Sequence, residues 1–350
     1  MKVVVAVGGT GGHLIPASQL AQKLMRRKVD VLFAGKGLTA SAYFETSQIP
    51  FVEIASSAIL KKKIFSTIFS LSKGIWQSLK LLWKEKPDVV VGFGSFHSFP
   101  VLFAAKLWGI PLVLYESNRI LGKVNRLFAK SAKLVAIQFP LLNPPKSGKV
   151  VKVPYLPWEM KKKSDGSLNL NAERLTFLVF GGSQGAKALN ETFLQAVKLL
   201  KKKIPFQVIH LTGKEEEAIR AFYEREKIDH YVKGFEKRMD LAYESADVVI
   251  CRSGAATVAE LIRYEKPSIL IPYPYASENH QEKNADFMAQ SISGGVKILE
   301  SDLTPQSLME AILSLDERKR KEAIQKFKKD EELKVGLDEW ILKIMKATIT

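Results

Sequence analysis

The stretch VVVAVGGTGGHLIP, residues 3–16, decides how this chain folds. Val3 to Val7 is an unbroken apolar run rich in β-branched residues, which reads as a strand buried on both faces, the kind found in parallel sheets. Gly8, Gly9, Gly11 and Gly12 end the strand, and Ala17-Ser18-Gln19-Leu20-Ala21 continues with helical character. Strand, glycine corner and helix start form the first half of a βαβ unit. Glycines at such a corner let the backbone turn tightly and approach a ligand, and the helix that follows points free N–H groups and its positive dipole end at any anion. The glycines are thereby explained; the histidine is not.

Outward from this stretch the same alternation continues to the end of the chain. Strand candidates lie at 2–7, 29–34, 88–92, 111–115 and 133–137, and again at 175–180, 206–211, 247–251, 267–271 and 296–299, with helical segments between most of them. The fold class is therefore α/β with parallel sheets. Two echoes repeat in the same order: FLVFGGSQGA at 177–186 repeats the opening strand and glycine corner, and DVVICRSG at 247–254 repeats DVVVGFGS at 88–95. Two similar sub-folds are expected, joined where Leu142 to Gly166 turns linker-like. The expected division is 1–160, 161–335 and a C-terminal helix within 336–350. Ligands bind beyond the carboxyl ends of strands in doubly wound sheets, so two facing sheets would share a cleft.

Bulk properties narrow the function classes. The 350 residues suffice for two domains with separate cores. A single cysteine, Cys251, excludes an internal disulfide, and five scattered histidines give no zinc-ligand spacing. No signal peptide is read from Val3–Val7, and the uncharged stretch from Val89 to Ala105 is broken by Gly92, Gly94, His97 and Pro100, so it is not a membrane span. Net charge is +17, and residues 1–160 carry 22 Lys+Arg against 7 Asp+Glu, a net +15. A basic half attracts an anionic partner: nucleic acid, an acidic membrane surface or a phosphorylated substrate.

From Gly9 the corner lacks the last glycine of the dinucleotide fingerprint, and it lacks the Gly-Lys-Ser/Thr ending of a P-loop. Nicotinamide and ATP readings are weakened. His13 sits at a helix N-terminus, where the dipole disfavours the imidazolium. A neutral imidazole there is a competent proton acceptor. A capping histidine that bonds only locally is the other reading, and the residues alone leave both open.

Four strings in this order and spacing, GGTGGHLIP, GGSQGAKALN at 181–190, CRSGAATVAE at 251–260 and NHQEKNA at 279–285, resemble the MurG family of N-acetylglucosaminyltransferases over essentially the whole chain. The resemblance implies a GT-B fold: two Rossmann-like, doubly wound parallel-sheet domains facing across a cleft. UDP-GlcNAc would be held mainly by the second domain, and lipid I (undecaprenyl-pyrophosphoryl-MurNAc-pentapeptide) by the first. The C-terminal helix, around Gly336 to Ala347, would return to the first domain. On the donor side it implicates Thr10, Gly11 and Gly12, then Ser183, Gln184, Gly185 and Asn190. Helix-opening glycines and the Ser183 hydroxyl can hold a diphosphate without a metal. Arg252, Ser253 and Gly254 form a second corner, followed by Glu260, whose carboxylate suits the vicinal hydroxyls of a ribose. His280, Gln281 and Asn284 resemble the family's sugar-reading site, and Phe235 its aromatic beside uracil.

On the acceptor side, GFGSFHSFP at 92–100 and YESNRILGKVN at 115–125 take the places of two family loops, with Gly92, Ser95, Phe96, Glu116 and Asn118 as candidate contacts. Ser95 and Phe96 stand where the family commonly has glycine and tyrosine, and Tyr115 and Ser117 also depart from its pattern. Glu159 stands where related sequences place an arginine near the diphosphate; Arg252 or one of Lys161 to Lys163 is the candidate replacement cation.

Residues 61–86 carry seven lysines against one acidic residue, Glu85, and apolar residues at 65, 68, 69, 75, 76, 79, 82 and 83 fit a helical stripe. Lysine-flanked bulky apolar residues suit an anionic bilayer surface. Leu79 and Leu82 are expected inward; Phe65, Ile68, Phe69, Ile75 and Trp76 are expected toward the membrane.

The implied reaction is an inverting displacement by the C4 hydroxyl of MurNAc, giving lipid II, with His13 as base. It requires no cofactor. The implied setting is peptidoglycan synthesis on the cytoplasmic face of the bacterial plasma membrane, with other cell-wall synthesis proteins as partners. Rival readings are a different lipid glycosyltransferase, a UDP-GlcNAc 2-epimerase of the same architecture, and a basic nucleic-acid-binding protein. No nucleic-acid-binding motif supports the last.

Overall fold

The computed structural model describes residues 1–9, 11–41, 44, 47–57, 64–146, 148–154, 168–182, 186–327 and 335–349. They divide into two compact units, Met1–Glu159 with Leu333–Thr350, and Met160–Glu332.

In the first unit the chain runs through β1 (Lys2–Ala6), α1 (Gly11–Arg26), β2 (Asp30–Gly35), β3 (Phe51–Glu53), α2 (Ile64–Glu85), β4 (Val89–Gly92), α3 (Ser95–Leu107), β5 (Leu112–Glu116), α4 (Lys123–Phe128), β6 (Leu134–Ile137) and β7 (Val150–Lys152). The sheet is wholly parallel, in the order β3-β2-β1-β4-β5-β6-β7. Side chains alternate across a strand, and β1 therefore feeds two cores. Val3, Val5 and Val7 pack with Leu14, Leu20 and Leu24 of α1. Val4 and Ala6 pack on the other face with Leu82 of α2, Val101 and Leu102 of α3, and Phe128 of α4.

The second unit repeats the plan with β8 (Thr176–Phe180), α5 (Lys187–Leu200), β9 (Gln207–Leu211), α6 (Glu216–Glu226), β10 (His230–Lys233), α7 (Met239–Ser245), β11 (Val248–Cys251), α8 (Ala255–Arg263), β12 (Ser268–Leu270), α9 (His280–Asp286), β13 (Gly295–Lys297), α10 (Pro305–Ser314) and α11 (Glu317–Phe327). Its parallel order is β10-β9-β8-β11-β12-β13. Strand order reverses between β1 and β4 in one sheet and between β8 and β11 in the other. These are the four strands of the two sequence echoes, so each echo marks a switch point, where such sheets bind ligands.

The last helix, α12 (Leu337–Ile349), belongs to the first unit. Leu337, Ile341 and Met345, one helical stripe, are fully buried against the Val3/Val5/Val7 face. Asp338 is 2.9 Å from Arg27 at the end of α1.

Sequence periodicity misses β3, β7 and β10. The first two are three-residue edge strands and the third is a four-residue edge strand. Edge strands are half solvated and too short to show alternation.

The inner face of α2 is small rather than apolar. Thr67, Gly74 and Ser78 are buried with Leu82, and a Cβ at Gly74 would fall 1.8 Å from Ala55 O. The bulk faces out: Phe65 is 87% exposed, Ile68 56%, Phe69 72%, Trp76 64% and Trp83 63%. Leu79 joins the core as a half-buried neighbour. Ile75, next along the helix from the buried Gly74, is half-buried instead of outward. Lys61 to Lys63 lie outside the described residues. Among the described residues no helix is long and apolar enough to cross a membrane.

Candidate active site

The candidate residues of the second unit follow the carboxyl ends of β8, β10, β11 and β12. After β8, Gly182 adopts φ +91 with open space around its Cα, a backbone that favours glycine. Ser183, Gln184 and Gly185 lie outside the described residues. After β10, Phe235 is 57% exposed on a loop whose neighbour is tied down. Glu236 accepts from Tyr231 Oη at 2.6 Å and Lys233 Nζ at 2.8 Å. Burial raises its carboxyl, but these bonds outweigh it and hold it down to about 2.

The β11–α8 and β12–α9 loops are knitted together. Ser253 Oγ donates to Gln281 O at 2.8 Å, and Asn284 Nδ2 donates to Ser253 O at 3.2 Å. Ser253 and Asn284 are fully buried, and both tie the two loops together. Gln281 Oε1 accepts from Tyr273 N at 3.0 Å, which orients the amide and leaves Nε2 without a hydrogen bond among the described residues. His280 Nδ1 donates to Ser277 O at 2.9 Å. Gly254, at the N-cap of α8, has no side-chain cap on the helix.

Three other donor-side expectations meet different surroundings. The Arg252 guanidinium donates to Ile271 O and Pro272 O, both at 3.2 Å, pairs with Glu300 and lies over the Tyr273 ring. These contacts hold the β12 loop. Asn190 is buried in a network in which its Nδ2 donates to Thr212 O at 3.1 Å and Glu215 Oε2 at 2.7 Å, while Oδ1 faces His210 Nε2 at 3.1 Å. That network fastens α5 to β9. Glu260, half-buried on α8, accepts from Tyr243 Oη at 2.7 Å. Burial pushes its carboxyl up to about 7 against the lowering effect of that bond.

In the first unit, His13 is half-buried in the opening turn of α1, preceded by Gly11 and Gly12; Thr10 lies outside the described residues. The glycines before it have a protein-side reason. A Cβ on Gly8 would meet Lys36 O at 2.6 Å and His97 Cβ at 2.8 Å, and Gly9, at φ +91, lies against the His97 ring. The closeness inferred from the sequence is thus partly an approach of the opening turn of α3. His97 is the residue that sequence reasoning passed over. It had no partner in sequence, and only the β1/β4 adjacency brings it to the glycine corner.

The acceptor-side candidates are mostly structural in their contacts. Gly92 is buried, and a Cβ there would meet the Leu102 side chain at 2.8 Å. Gly94 (φ 78) and Ser95 (φ 65) both take left-handed backbone, the geometry that suits the glycine commonly found at the latter position. Phe96 is 38% exposed and its ring lies against His97, centroids 3.9 Å apart and planes tilted by 35°. Glu116 is 5% exposed, and its carboxylate accepts from Asn118 N and Nδ2 at 3.1 Å, Gly122 N at 2.9 Å and Asn125 Nδ2 at 3.0 Å. Glu116 and Asn118, the expected acceptor contacts, clamp the β5–α4 loop through these bonds. Burial pushes the Glu116 carboxyl up, opposed by those same bonds. Glu159 and Lys161 to Lys163 lie outside the described residues. Among the described residues no three His, Cys, Asp or Glu side chains group as metal ligands.

Residues 3–137 match the glycosyltransferase family 28 N-terminal domain, and residues 176–339 its C-terminal domain. A protein of Protochlamydia amoebophila (strain UWE25), named UDP-N-acetylglucosamine-N-acetylmuramyl-(pentapeptide) pyrophosphoryl-undecaprenol N-acetylglucosamine transferase, is 40% identical over 93% of this chain and 92% of its own length. The protein of the same name in Chlamydia felis (strain Fe/C-56) is 38% identical over 93% of this chain and 94% of its own. Among solved structures, Acinetobacter baumannii MurG superposes with a TM-score of 0.81 at 28% identity, covering 99% of both chains. The spinosyn forosaminyltransferase SpnP superposes at 0.75 with 12% identity over the whole of both chains, a likeness of fold.

Proposed function

Because this chain belongs to the MurG family within glycosyltransferase family 28, we propose that it transfers GlcNAc from UDP-GlcNAc to the C4 hydroxyl of MurNAc in undecaprenyl-pyrophosphoryl-MurNAc-pentapeptide. The observation that carries this reading is 40% identity along 93% of the chain to a transferase of that name. The geometry supports it: both sheets present glycine corners at their switch points, and the second unit adds an exposed aromatic, a half-buried carboxylate and an oriented amide on one sheet edge.

In this reading the second unit holds the donor. Phe235 lies beside the uracil, Glu260 accepts from the ribose hydroxyls, and Gln281 Nε2 donates to a sugar hydroxyl. Backbone N–H groups at the glycine corners meet the diphosphate charge as UDP leaves. His13, at the N-terminal end of α1, takes the proton of the attacking hydroxyl, and the anomeric centre inverts in one displacement. No cofactor takes part.

The lipid-linked substrate places the enzyme at a membrane, as a peripheral protein on the cytoplasmic face. The outward Phe65, Ile68, Phe69 and Trp76 enter the interface while the lysines around them meet anionic headgroups. The test is transfer from radiolabelled UDP-GlcNAc to a lipid I analogue, with and without anionic vesicles. Disaccharide product with vesicle stimulation is expected. Conversion of UDP-GlcNAc alone to UDP-ManNAc, with no transfer, would establish an epimerase instead.

A further inference from the structure

The β1/β4 switch point of the first unit holds an imidazole that the reaction as described does not use. His97, in the opening turn of α3, lies with its Cδ2–Nε2 edge against Gly9, and Phe96 covers its ring. Its Nδ1 is 3.2 Å from Ser56 Oγ. Ser56 is completely buried, and among the described residues His97 is its hydroxyl's only hydrogen-bond partner. A buried hydroxyl proton needs an acceptor, so Ser56 Oγ–H donates to Nδ1, and the ring proton resides on Nε2. The ring is neutral as well: burial lowers its pKa, the nearby Lys36 cation lowers it further, and Glu53 opposes them. Nε2–H makes no hydrogen bond among the described residues. A donor of fixed tautomer is left at the ligand-binding edge of the sheet.

The same two segments seat the outward-facing helix. Gly74 of α2 rests on Ala55 O, next to Ser56, and beside Pro100, three residues past His97. The group is thereby joined to the lipid side of the unit. We propose that His97 is an acceptor-binding residue, donating a hydrogen bond from Nε2–H to an oxygen of the lipid-linked sugar substrate.

This rests on the transferase reading above, and steady-state kinetics with both substrates varied separates the two. His97→Ala should raise the KM for a lipid I analogue about tenfold, the worth of one hydrogen bond, and leave the KM for UDP-GlcNAc unchanged. His97→Gln, whose amide N–H reaches a similar place, should recover most of the loss; Ser56→Ala, which frees the tautomer, should lose a few-fold. Should His97→Ala lose its melting transition, the other two variants carry the comparison. An unchanged acceptor KM, equal effects on both substrates, or Gln as impaired as Ala would overturn the role of His97 while the transferase stands. Absence of transfer by the unsubstituted protein would overturn the transferase reading and this role with it.

Discussion

Tyr243 Oη donates to Glu260 Oε2 at 2.7 Å, tying α7 to α8 across the second unit. With its carboxyl raised to about 7, Glu260 changes charge near neutrality. The folded state holds this proton more tightly than the unfolded chain does, so its stabilising contribution is complete below the ordinary glutamate range and is lost as pH rises through about 7. Ribose binding by Glu260, as proposed, would run the opposite way, since the carboxylate is the better acceptor. UDP affinity should therefore rise from pH 6 to 8, by calorimetry, and Glu260→Gln should remove that part of the pH dependence. Tyr243→Phe should weaken UDP binding at pH 7 by pushing the carboxyl higher still. A Glu260→Gln variant with the same pH slope as the parent would refute the assignment.

His13→Ala should lower turnover roughly 10² to 10⁴-fold with UDP affinity close to normal. Quenched-flow or steady-state rates alongside UDP titration check this. Undiminished turnover would eliminate His13 as base.

Ser95 is a non-glycine residue at φ 65. Ser95→Gly should raise stability by about 1 kcal/mol, measured by urea unfolding, because a left-handed backbone costs an L-residue about that much. Loss of stability would mean that the Ser95 side chain contributes more than its backbone costs.

Phe65 and Phe69 are 87% and 72% exposed. Phe65→Ser with Phe69→Ser should leave the melting temperature unchanged and lower affinity for anionic vesicles at least tenfold, as expected for roughly 1.5–3 kcal/mol per fully buried phenylalanine. Raising salt should weaken what remains. Vesicle sedimentation that does not distinguish the variant from the parent would remove α2 from the membrane.

Gly74→Ala should destabilise the first unit by about 3 kcal/mol, since α2 must lift from Ala55 O to admit a Cβ. Retained stability in thermal unfolding would show that the helix seat yields without cost.

The sequence by itself determined the α/β class, the two echoed sub-folds and the glycine corners. These depend on local pattern, and Val3 to Val7 or Phe177 to Phe180 reads as a buried strand whatever surrounds it. Edge strands and side-chain employment are different, because they depend on which distant segment arrives opposite. Only the tertiary structure put His97 against Gly9, gave the Glu116 carboxylate to its own loop, paired Arg252 with Glu300, and left Ile75 half-buried. The outward side of α2 is legible in its lysine-flanked apolar stripe, but what seats its other side is not, because the close approach of Gly74 to Ala55 O joins two separate segments of the chain.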